Sequence, residues 1–394
     1  MSPRGRVAVP LGALAVAALF APLPVAAQSL LSAGGLGIPI EPLDARARAI
    51  GGVEVGLFGS AVRPTDPTAA VDLGIPSASV TMAGSWIDVG GEGGEPNAAG
   101  TRFPALGLSY PVRSWGTATL TYGSVLEQRW EVSHVQTIPL GETTAQVTDR
   151  FQSDGGVAAL RLGFARRLSP GLALGASVGT YTGDLTRSLR RSFDTGEGGI
   201  FIDDTEVGGF WQYSGLNATV GALVDVGDVL RVGANVTWSG DLKAEPSEET
   251  RGAGARYALP LQLRVGASGV LSPGLVASAG VTYADWTGVG AALQDEAGQA
   301  AVTVGGGLEW TRANLFGRRS PFQVGYRRST LPFTFGGESA VENVFSGGVG
   351  LDFIQDQGMT LAGMALALER GNRDAGPFSE TFNRVALTVR VAGF

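Results

Sequence analysis

The chain has no cysteine, a single lysine, Lys243, and a single histidine, His134. Without cysteine there is no disulfide framework, no thiolate metal site and no lipid-modified residue at an export cleavage point. One histidine excludes a histidine metal cluster, and a Ser-His-Asp site would have to be built around His134 alone. Nearly all positive charge is therefore arginine, a bias that genomic base composition explains. The net charge is −7, and the isoelectric point near 5.0 leaves no basic footprint for a nucleic acid. Charged residues make up only 16% of the chain. No segment after the amino terminus offers the roughly 20 consecutive apolar residues that a membrane helix needs.

What is present begins with Arg4 and Arg6, an apolar run over 7–20 broken by Pro10, and the small residues Val25, Ala26 and Ala27. This is the pattern of a secretory signal peptide over 1–27, with cleavage expected after Ala27. Hydrophobic residues reach 44% of the chain, which is apolar for an exported protein of so little charge.

Residues 213–238 explain that composition. Leu216, Ala218, Val220, Ala222, Val224 and Val226 alternate with Gly215, Asn217, Thr219, Gly221 and Asp225; Leu223 breaks the rule. After a turn at Gly227 and Asp228, Leu230, Val232, Ala234, Val236 and Trp238 alternate with Arg231, Gly233, Asn235 and Thr237. Two adjacent strands thus share one apolar and one small or polar face. A sheet apolar outside and wet inside is a transmembrane β-barrel, and on this reading Gly233 accepts serine more readily than Val232 accepts arginine. The same alternation predicts strands near 78–86, 103–110, 117–126, 157–164, 172–182, 259–268, 275–285, 302–310, 322–327, 345–353, 361–369 and 385–391. The total is about fourteen antiparallel strands over 77–394, an all-β fold.

Short turns near 111–114, 169–171, 227–228, 272–274 and 355–358, and a longer one near 314–320, alternate with polar loops expected at 90–101, 133–148, 184–207, 241–255, 288–299, 329–342 and 371–380. Short turns on the periplasmic side and long loops outside are the asymmetry of an outer-membrane barrel. The seven tryptophans, Trp86, Trp115, Trp130, Trp211, Trp238, Trp286 and Trp310, fall mostly near strand ends and are expected to form interfacial girdles. A carboxy-terminal strand ending at Phe394 suits recognition by the barrel assembly machinery. Acidic loop residues Asp203, Asp204 and Glu206 read as solvated, and Gly305–Gly307 precedes no helix and makes no phosphate loop.

Residues 28–76 lack this alternation and are too many for a simple lead-in. They contain Ala47, Arg48, Ala49, Gly51 and Gly52, then Asp66, Pro67, Thr68, Ala69 and Ala70. With 257–268, 322–333 and 345–353 in the same order, the mature chain resembles the FadL-like outer-membrane transport family, including its PorV-like relatives. Many members place Asn-Pro-Ala before the first strand, where this chain has Asp72, Leu73 and Gly74. The resemblance implies that 28–76 forms a hatch, with Ile38, Ile40, Ala47, Arg48, Ala49, Gly51, Gly52, Asp66 and Pro67 in it, inside a fourteen-stranded barrel. It implies passage of hydrophobic or amphipathic molecules, such as long-chain fatty acids, across the outer membrane without cofactor, catalysis or energy input. A PorV-like scaffold for exported proteins and a general diffusion porin are the rival functions. Parity turns Arg161, Arg231, Arg264 and Arg327 toward the lumen, with Glu309 and Asp352. There each arginine needs a carboxylate, from the wall, the hatch or an anionic ligand.

Overall fold

A computed structural model describes residues 29–90, 98–140, 143–194, 202–290, 298–315, 317–335, 337–356, 359–376 and 378–393. The expected signal peptide and the terminal Phe394 lie outside them. Fourteen strands form the wall: β1 (Ser77–Gly90), β2 (Ala98–Val112), β3 (Gly116–Glu127), β4 (Thr143–Ser169), β5 (Leu172–Asp194), β6 (Thr205–Val226), β7 (Leu230–Ser239), β8 (Gln262–Ser272), β9 (Leu275–Asp285), β10 (Ala300–Trp310), β11 (Phe322–Phe335), β12 (Glu338–Asp356), β13 (Met359–Ala375) and β14 (Phe378–Ala392). Each pairs antiparallel with the next, and β14 returns to β1 along Ser77↔Ala392 to Gly90↔Ser379, which closes the sheet. Closure leaves no sheet edge facing lipid.

The predicted parity sets the faces. Leu216, Val220, Val178 and Leu162 stand exposed on the outside, and Asn217, Thr219, Asn235 and Thr237 are buried on the inside. Small inward residues let other backbone approach the wall. A Cβ placed on Gly233 would lie 2.7 Å from the Gly56 nitrogen, so serine there collides with the amino-terminal segment, contrary to the expectation from alternation alone.

All fourteen predicted strands are present, but several are longer than their alternation. Stretches expected as loops at 133–148, 184–207, 329–342 and 371–380 are largely strand, and Asp241–Pro246 is strand as well. A separate strand, Trp130–Leu140, runs alongside Thr143–Ser153 of β4. With the distal parts of β5 and β6 it makes a blade beyond the barrel rim. Where β4 and β5 leave the barrel, Gly155 and Gly183 take φ of 154° and 146°. A Cβ at either would lie 2.1 Å from a facing carbonyl oxygen, so only glycine fits this bend.

The tryptophans divide. Trp86, Trp115, Trp238 and Trp310 are exposed on the outer surface, as girdle residues are. Trp286 is instead buried edge-on against Phe333 at 5.6 Å, Trp211 packs against the same cluster, and Trp130 is buried too. These three serve the interior because the chain there carries enough apolar residues to form a core inside the upper barrel.

Replacing Val232 by arginine is expected to impair assembly by about 2–4 kcal/mol if the site lies near the bilayer midplane. The inward control Thr237→Ser should assemble normally, as judged by the heat-modifiable gel mobility of the folded barrel. Equal assembly of both variants would contradict the face assignment.

Candidate functional site in the lumen

The wall glycines measure how closely residues 29–76 approach it. Built Cβ atoms would touch Val62 from Gly107, Pro64 from Gly123, Thr68 from Gly175, Val55 from Gly266, Ile50 from Gly325 and Ala49 from Gly348. These contacts come from β2, β3, β5, β8, β11 and β12, on every side of the segment. Its local order follows from capping. Asp44 accepts from the Ala47 amide at 2.8 Å and starts the helix Ala45–Ala49. Gly51 and Gly52 end the helix with φ of 75° and 82°. Asp66 accepts from Thr68 to open the 3-10 turn Pro67–Ala70. Ile38 and Pro39 form a two-residue strand on β3, and the Ile40 amide donates to the Val125 carbonyl at 3.0 Å.

The four arginines read from the sequence all point inward, and each has a partner. Arg327 bonds both Glu369 and, at 3.1 Å, Glu342. Arg264 bonds Glu41 and lies 3.9 Å from Glu54, both acids of the amino-terminal segment. Arg231 grips Asp225 at 2.5 Å, and Arg161 donates to the Asn217 side-chain oxygen at 2.9 Å. Glu309 is taken by Arg46 at 2.7 Å.

Arg327 belongs to a larger ladder on the inner faces of β11 to β14. Glu369 also accepts from Arg48 at 2.7 Å and Arg384 at 3.1 Å; Glu342 accepts from Arg373 at 2.8 Å; Arg373 lies 3.4 Å from Glu380. The Phe382 ring sits between the Arg373 and Arg384 guanidiniums, at 4.7 and 4.8 Å from its centroid. Ser29 closes the ladder with a 2.7 Å bond to Glu380. Glu342, Glu369, Glu380, Arg373 and Arg384 are all buried. The sequence signal for them was the continued inward parity of β12, β13 and β14, which stopped being visible where the outward residues also became polar.

Above the ladder the lumen is apolar. Leu36, Leu126, Tyr181, Tyr213, Leu259, Trp286 and Phe333 pack into one buried cluster. A chamber of about 60 Å³ lies beside it, bounded by Ile38, Val125, Leu126, Trp286 and Leu331 and by Glu41 and Glu342. It is smaller than the ~150 Å³ cavity that admits benzene. On the short-turn side, a polar cavity of about 590 Å³ is lined by Asp44, Arg46, Asp72, Glu309, Asp352 and Arg390, among others.

The wall beside the chamber has a break. β2 and β3 are paired from Val112↔Gly116 up to Ala105↔Gly123 and no further. Beyond that point β2 carries Pro104, which has no amide to donate, and shifts register against β1 between Thr81 and Ala83. β3 shifts register between Ser124 and Leu126 and takes Ile38 and Pro39 as its partner in place of β2. Arg102 of β2 and Glu127 of β3 span the break with an ion pair, and Phe103 beside it is exposed on the outer surface.

Glu369→Gln would leave Arg48, Arg327 and Arg384 facing a neutral amide, at a cost of about 3–5 kcal/mol for a broken buried pair. The temperature at which the purified barrel loses its folded gel mobility should fall. Asp204→Asn, which breaks the exposed pair with Arg190, should leave it unchanged.

No protein-family model and no curated protein sequence matches the chain. Solved structures do. The toluene transporter TbuX of Ralstonia pickettii is 16% identical with a TM-score of 0.58, over 90% of this chain and 99% of that one. The Pseudomonas putida toluene transporter TodX is 16% identical with a TM-score of 0.57, over 90% and 99%. A FadL homologue of Pseudomonas aeruginosa is 12% identical with a TM-score of 0.52, over 94% and 99%. At these identities the likeness is one of fold, and the fold of this chain is that of the FadL-like outer-membrane barrels.

Proposed function

We propose that this chain is a passive outer-membrane channel for hydrophobic small molecules, with residues 28–76 as its hatch and the break between β2 and β3 as its exit. The observation that carries this reading is the break itself. It is a seam without backbone pairing in a closed sheet, next to an apolar chamber and above a ladder of buried charges. A hydrocarbon gains by entering the cluster around Trp286, Phe333 and Tyr213. It cannot descend through the ladder without separating buried ion pairs, and the cavity below is polar. Sideways movement past Phe103 into the bilayer carries no such cost.

The same geometry bears on the ligand. Arg264 and Arg327 already hold carboxylates, so a fatty acid would have to compete with Glu41 or Glu369 for either guanidinium, while a neutral aromatic hydrocarbon competes with none. Likeness to TbuX and TodX, both described as toluene transporters, supports that class. Because the chamber is smaller than an aromatic ring requires, Ile38, Pro39 and their neighbours must yield as the ligand passes, a local motion of the hatch rather than its removal.

The absence of native cysteine makes the test clean. Arg102→Cys with Glu127→Cys, joined by a short bis-thiol linker, should lose uptake of labelled toluene while the unlinked double variant keeps it. Reductive release of a cleavable linker should restore it. Undiminished uptake by the linked protein would sink the sideways route, and uptake of a long-chain fatty acid in preference to toluene would reverse the ligand assignment.

A further inference from the structure

Arg166 is the one arginine of β4 that stands on the lipid side among apolar residues. In outward parity it follows Leu162 and Phe164 and precedes Leu168, which are 62%, 41% and 54% exposed. Its register neighbour on β5 is Leu174. It makes no ion pair or hydrogen bond among the described residues, while Arg167 beside it turns inward to Asp72 and Asp225. Other outward arginines are placed differently. Arg370 sits in the row of Phe345, Tyr326 and Trp86, and Arg328 lies one step beyond that row, both toward the long-loop end. Arg166 is three residues from the short turn at Pro170 and Gly171, about 10 Å along the strand. A cation held on the lipid face is costly at any depth short of the interface, and its long stem allows the head to reach a headgroup.

A groove adjoins it. Leu174, Ala222 and Ala234 are in register across β5, β6 and β7, with Ala176, Val220 and Val236 in the next outward row. The three alanines form the floor of an apolar depression of about 570 Å³, walled by Phe164, Leu174, Val220 and Val236, with Arg166 on its lining. A floor of methyl groups between larger side chains has the shape to take an extended hydrocarbon chain. The anion within reach of Arg166 at the short-turn end is the phosphate of the periplasmic leaflet.

We propose that this face binds one phospholipid of the periplasmic leaflet, its acyl chain over Ala176, Ala222 and Ala234 and its phosphate on Arg166. The site is separate from the lumen and stands whether or not the channel reading holds. Charge complementarity favours a phospholipid over a second copy of the chain, because the groove offers Arg166 no acidic partner.

The test is native mass spectrometry of the full-length barrel released from bilayers of phosphatidylethanolamine and phosphatidylglycerol. The wild type should retain one phospholipid. Arg166→Gln should lower the retained fraction about tenfold, the loss of one charge-assisted contact. Ala222→Leu, which fills the groove, should do the same, and Arg370→Gln should not. All three substitutions face lipid, so folding is checked by heat-modifiable mobility and Arg166→Lys serves as the charge-retaining control. Retention unchanged in Arg166→Gln, or a dimer that Ala222→Leu disrupts, would overturn the proposal.

Discussion

A sheet that shows its apolar parity to lipid must turn its other parity inward, and this chain's inward parity is charged. That single constraint governs the interior. Arg161, Arg231, Arg264, Arg327, Arg373 and Arg384 cannot reach the bilayer side without slipping a whole strand by one residue, which would turn every outward valine into the lumen. Their charge has to be met inside, by Glu342, Glu369 and Glu380 of the wall and by Glu41 of the amino-terminal segment. Exchange runs both ways, since Arg46 and Arg48 of the segment go to Glu309 and Glu369 of the wall. Wall and segment therefore complete each other's electrostatics, and neither has a low-energy interior alone.

The break between β2 and β3 follows from the same interlocking. A closed barrel satisfies every backbone group by pairing neighbours, and departing from that rule requires a substitute partner. Ile38–Pro39 supplies one for β3, and Pro104 reduces what β2 has to satisfy. The gap is thus built into the sequence at two distant places, one ahead of the first strand and one in the second.

Much of this was legible before any coordinates. All fourteen strands could be found because lipid imposes strict alternation on their middle portions, and Leu275–Asp285 matched its expected span. The inward direction of Arg161, Arg231, Arg264 and Arg327 came from the same counting. Beyond the membrane the outward side of a strand is as polar as the inward side, so alternation fades and β4, β5, β12 and β13 looked like loops at 133–148, 184–207, 329–342 and 371–380. That error hid Glu342, Arg373 and Glu380, and with them the ladder. Partner choice was hidden for another reason: parity gives direction, while the pairing of Arg264 with Glu41 depends on how the segment folds. Trp130, Trp211 and Trp286 were misassigned because a ring's preference for an interface says nothing about whether an inner core is on offer.

The blade carried by β4, β5 and β6 has a consequence of another kind. β4 runs for 27 residues, about 90 Å of strand, of which a tilted membrane crossing uses only about 9–11 residues. What remains stands well clear of the bilayer, on a hinge that only glycine can form. Antibodies and bacteriophages approaching the cell would therefore encounter this paddle ahead of the channel mouth, so immune and viral pressure falls on residues that the passage of a ligand never touches.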